Sequence, residues 1–306
     1  MTIEFLYGRA LYSADRPRGA REQRPEGVEQ QAMVLRRTVR AAAVIALWEY
    51  EWCRRVRATG AVLEPLRDRV DGSVNGFVVQ YRDLDTGRLM APVTDCDLAP
   101  DLRLHELRRG WSADPRTITD AEVEWRRPPG APLPAGRDGL VLTAPVMWSR
   151  ALADIGRFAG AVQRYPAGDV AAWRWAAGRI AGVLAVWAQR AEFGTVGPVT
   201  LAADALARLT AAPGSRCRPA HRAPRSDLSI TGLILGHLDH EDPGSDFVVQ
   251  GQLIALAIAV GKVHRDRGEH TTAQALIDEV VAPLTQARQD LSSKARPLDP
   301  GDGTSR

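Results

Sequence analysis

Lysine is almost missing from this chain. Of 40 basic side chains in 306 residues only two are lysine, Lys262 and Lys294, and the others are arginine. Arginine brings a planar fork that lysine lacks, but a bias spread over the whole length marks no site. With the abundant alanine and glycine, it reads as the coding preference of a GC-rich bacterial genome. Cysteine is nearly as scarce. Cys53, Cys96 and Cys217 are odd in number and far apart, which excludes a disulfide framework and any familiar metal-ligand spacing among them. A reducing cytoplasm is the compartment this implies. A strong charge of one sign is lacking too, since a net +3 does not mark nucleic acid or an anionic membrane as a partner.

Long apolar runs are also wanting. The two longest tracts, 171–191 and 247–263, are respectively broken by Arg174, Arg179 and Arg190 or too short to span a bilayer. Both are expected as buried helices, with no membrane partner. The opening residues carry an early acid, Glu4, and no charged-then-apolar secretory pattern. Among motifs there is no G-x-x-x-x-G-K-[ST] loop, no G-x-G-x-x-G after a strand, no G-x-S-x-G elbow and no H-E-x-x-H. These absences disfavour nucleotide hydrolysis, dinucleotide redox chemistry, α/β-hydrolase chemistry and zincin proteolysis.

What is present describes an ordinary globular chain, 45% hydrophobic and 25% charged, long enough for one large domain or two small ones. Its charge is distributed in blocks: +4 over residues 1–70, −4 over 71–126, +7 over 127–227 and −4 over 228–306. Blocks of alternating sign are expected to dock on each other within the chain. A partner of complementary pattern is the other reading.

Periodicity divides the chain further. Residues 3–7 suit a short strand. A long helix is expected over 28–59, with Val28, Leu35, Ala42 and Val56 on one seam and Ala32, Val39, Ala46 and Cys53 on a second, in the manner of coiled-coil a and d positions. Residues 74–94 read as a β-hairpin turning at Asp83–Gly87. Residues 100–109 suit a short helix closed by Gly110, and 119–125 fit a strand better than a helix. Four prolines within 126–139 make 127–139 a linker. Beyond it, about six helices follow over 140–292, one of them kinked by Pro283. Residues 293–306 read as a disordered tail. The expected fold is therefore mostly α: a small α+β region over 1–126, carrying the long helix and the hairpin, then a C-terminal helical bundle.

Two segments concentrate candidate chemistry. The run G-H-L-D-H-E-D-P-G-S-D at 236–246 gathers two histidines and four carboxylates. If the preceding helix continues, His237, His240 and Glu241 share one face, and Asp242 or Asp246 could complete the shell of a divalent metal. The competing reading makes Asp242, Ser245 and Asp246 ordinary residues of a helix start. The second segment is the basic, proline-bearing loop 216–225, whose Arg216, Arg218, Arg222 and Arg225 could grip phosphates or carboxylates. Aromatic residues to stack bases are missing there, which weakens a nucleic-acid reading. Trp48, Trp52, Trp173, Trp175 and Trp187 are expected in the core, while Trp111, Trp125 and Trp148 stand near boundaries where they could anchor a partner.

The function this favours is a non-catalytic interaction or regulatory protein acting through helical surfaces, with a protein partner or a second copy of itself. A divalent-metal enzyme centred on 237–246 and a nucleic-acid accessory protein using 216–225 are the alternatives.

Overall fold

The computed structural model describes residues 26–82, 88–111, 114–128, 131, 144–192, 195–212, 227–237 and 243–294. The fold is mostly α with a small antiparallel sheet. The expected strand at 3–7, nearly all of the linker 127–139 and most of the tail 293–306 lie outside the described residues.

The first helix, α1, spans Glu26–Ile45, and α2 spans Glu49–Ala58. The single helix expected over 28–59 is thus two, and the break has a physical cause. Residues 41–53 are apolar on nearly every face, and one straight rod would have to be buried on all sides. At the break Trp48 turns extended, with φ −141° and ψ 157°, and its ring stacks on Tyr50. Glu51 accepts the freed Leu47 N–H at 3.0 Å. The turn sends Trp52, Cys53 and Val56 into a second core while Ala41 and Val44 remain in the first.

Strands β1 (Val62–Arg67), β2 (Val74–Gln80) and β3 (Val93–Thr94) form a sheet in that order. The expected 74–94 hairpin corresponds to the β2–β3 pair, in register Val79↔Val93, extended by a bridge between Arg82 and Leu89. Strand β1 was not expected, because Pro65 interrupts its pattern. It occupies the sheet edge, where a missing N–H is tolerated. Gly72, at φ +70°, closes the β1–β2 turn.

Short helices α3 (Asp95–Leu98) and α4 (Leu104–Arg109) flank a 3-10 turn at Pro100–Leu102, and α5 spans Pro115–Trp125. The strand favoured over 119–125 is corrected by α5. Its start is secured by Asp114, whose carboxylate accepts the Arg116 and Thr117 N–H groups, with Pro115 in the first turn. These elements enclose a small core centred on Trp52, whose ring lies 5.1 Å from Phe77, 5.6 Å from Trp111 and 6.0 Å from Trp125.

The larger core belongs to α6 (Ala144–Val162), α7 (Val170–Ala191), α8 (Pro198–Thr210), α9 (Ser229–His237), α10 (Pro243–Asp266), α11 (His270–Leu276) and α12 (Ala282–Lys294). Helix α7 is its axis, lined by alanines from Ala172 to Ala188 and touched by α1, α8, α9 and α10. Gly182 permits the closest approach: a Cβ built there would lie 2.5 Å from Val44 Cβ. By length and composition α10 could cross a membrane, but 56% of its apolar window is buried in the fold, and it packs on α6, α7, α11 and α12. Between α11 and α12 the chain widens into a π turn at Ile277–Val281. Pro283 cannot donate a hydrogen bond to the carbonyl four residues back, and the wide turn takes up that break. The helix expected to run through Pro283 is thus interrupted by this π turn just before the proline.

Ionic contacts join the two cores. Arg40, 2% exposed, donates from Nε and Nη2 to both Asp101 oxygens at 3.1 Å, and from Nη1 to Asp204 Oδ1 at 3.2 Å. Burial alone would lower the pKa of this guanidinium, but the two carboxylates outweigh it and hold it charged. Beside it, Arg36 donates to the Leu98 carbonyl and Arg37 to the Thr195 carbonyl. Asp101 belongs to the negative block 71–126, as does Glu124, which pairs with Arg54 and Arg57, so the first two charge blocks meet within the chain, while Asp204 lies in the positive block 127–227. Removing one member of such a buried group leaves the others uncompensated, at a cost of about 3 to 5 kcal/mol. Arg40→Ala should lose about that much in urea unfolding.

A smaller network closes α10. His264, buried, lies with Nδ1 2.5 Å from Glu269 Oε2, and Arg267 Nη2 donates to the same oxygen at 3.2 Å. Burial pushes the Glu269 carboxyl up, but the hydrogen bonds from His264 and Arg267 outweigh it and leave it below the usual glutamate range. A carboxyl depressed in the folded state stabilises above its unfolded pKa and loses that contribution as pH falls through its folded value. The advantage of the wild-type chain over Glu269→Gln in urea midpoint should therefore be full at pH 7. It should shrink once pH drops below about 4.

Candidate interaction surface

The sequence candidates are only partly placed. Within 236–246, the described backbone shows His237 closing α9 and Asp246 in the first turn of α10. His240, Glu241 and Asp242 lie outside the described residues. So do Arg216, Arg218, Arg222 and Arg225. Among the described residues no three His, Cys, Asp or Glu side chains gather as a metal site would require. The tryptophans considered as partner anchors are drawn inward: Trp125 and Trp148 are buried, and Trp111 packs on Trp52. Trp125 also donates from Nε1 to Glu49 at 2.7 Å. The coiled-coil seam is likewise used inside the chain, since Leu35, Val39, Ala42, Ala46, Cys53 and Val56 all belong to the small core. Cys53 is fully buried, and burial pushes its thiol well above its usual range, which disfavours the thiolate.

Most charged groups near the helix ends serve the fold. Glu192 accepts the Gly197, Val199 and Thr200 N–H groups and so caps α8. Asp154 on α6 is buried and accepts the Thr231 N–H at 3.1 Å and its hydroxyl at 2.8 Å, capping α9 from a neighbouring helix. Glu124, with no exposed side-chain area, receives Arg54, Arg57 and Arg127.

The outer side of α6 is different. Its inner side places Trp148, Ala151, Ile155, Phe158 and Val162 in the bundle core. The opposite side exposes Val146, Ser149, Arg150, Ala153, Gly156 and Arg157. α6 ends at Val162 and the chain turns there, the Arg164 N–H bonding the Ala161 carbonyl at 3.1 Å, with Arg164 exposed. Arg150 and Arg157 lie seven residues apart along one edge of α6. At a rise of about 1.5 Å per residue, Arg150 and Arg157 stand roughly 10.5 Å apart along the axis. Arg157 leans on Asp154 at 3.5 Å with its side chain half exposed.

Between the arginines the surface is low. Val146, Ser149, Arg150, Ala153 and Arg157 line an open depression of about 370 Å³. A Cβ added at Gly156 or Gly160 would meet no atom within 4 Å, and Val146 is 44% exposed. Alongside, α9 packs on α6 through Thr231 and turns Ile230 and Leu233 outward, 48% and 39% exposed. The outer face of α6 thus carries Arg150 and Arg157 around a shallow depression, with exposed aliphatic side chains on the adjoining α9.

Sequence reasoning passed over this face. The signal was available in the seven-residue spacing of Arg150 and Arg157 with Ala153 and Gly156 between them, but it stood in a chain rich in arginine throughout. The glycines permit a direct check on which surfaces are open. Gly156→Ala and Gly160→Ala should each stabilise the chain by about 0.4 to 1 kcal/mol in thermal unfolding, through helix propensity. Gly182→Ala, facing Val44, should cost about 1 to 3 kcal/mol. Comparison with known protein families, curated proteins and solved structures returns no match to this chain.

Proposed function

We propose that this is a non-catalytic interaction protein whose working surface is the outer face of α6 with the adjoining edge of α9. One observation carries the reading. Many arginines of the described fold are drawn into ion pairs that join its segments, as Arg36, Arg37, Arg40, Arg54 and Arg57 are, while Arg116, Arg174 and Arg265, among the described residues, are exposed without a neighbouring depression. On α6, exposed Arg150 and half-exposed Arg157 share one depression with exposed Val146. Cations bordering an accessible aliphatic surface are what a protein partner uses for steering and for burial respectively. A reducing cytoplasm suits the reading, and the free thiols of Cys53 and Cys96 support it.

Site-specific photocrosslinking tests the assignment. A photoreactive amino acid replacing Ala153 should yield a discrete protein adduct in cells, whereas the same group at exposed Thr119 on α5 should not. Absence of an adduct at Ala153, or the same adducts at both positions, overturns the assignment of this face.

A further inference from the structure

We draw no further inference here: the strongest candidate, the outward surface patch of α10 with exposed Phe247, Val248, Ala255 and Ile258, is an apolar helix face, and nothing in the structure shows what covers it.

Discussion

The contact of Arg40 with Asp101 and Asp204 is the constraint around which the molecule is arranged. A guanidinium removed from water is tolerated only where its donors are met and its charge is balanced. Here the balance comes from two distant segments, a 3-10 turn beside the small sheet and helix α8 of the bundle. Neither core can shift relative to α1 without uncovering that charge. Arg36 and Arg37 extend the join on both sides, through the Leu98 and Thr195 carbonyls. A further polar chain runs from the sheet through the Tyr81 and Thr38 hydroxyls to Gln189 on α7. Apolar burial then fills the space on either side of α1, with Leu35 and Val39 facing the Trp52 core and Val44 pressed into Gly182.

The same rule sorts the arginines of this chain. Those serving the fold are recognisable by what they hold: paired carboxylates, backbone carbonyls at helix ends, or a ring, as Arg288 lies 3.7 Å over Phe247. Surface ion pairs contribute little stability each, so exposed arginines such as Arg150, Arg174 and Arg265 hold little of the fold together.

How much of this was legible in the sequence depended on whether the signal was local. Bundle helices were, because Pro198, Asp169 and Pro283 punctuate a 3.6-residue pattern at their own positions. The mostly-α class followed from them. The hairpin at β2–β3 was legible for the same reason. The break after Ile45 was not, since helical propensity continues through Ala46 and Leu47, and only the need to bury Trp52 elsewhere interrupts it. Strand β1 was hidden by Pro65, which is acceptable only at an edge, and an edge is a property of the sheet. Helix α5 was misread as a strand because Ala121, Val123 and Trp125 alternate, while the decisive Asp114 cap lies before the window. The seam on α1 was seen, but which surface would cover it could not be read from one helix. The surface of α6 lay unnoticed because exposure is decided by neighbours far along the chain.

Asp154 has a consequence for how this chain acquires its structure. Helix α9 spans nine residues, Ser229–His237, well short of what an isolated helix needs in water. Its Ser229 amide is met locally by Asp227, but its Thr231 amide is completed by a carboxylate 77 residues earlier, and its glycines rest on Ile45 and Val186. Residues 229–237 therefore owe their helix to α1, α6 and α7, all of which precede them in the chain.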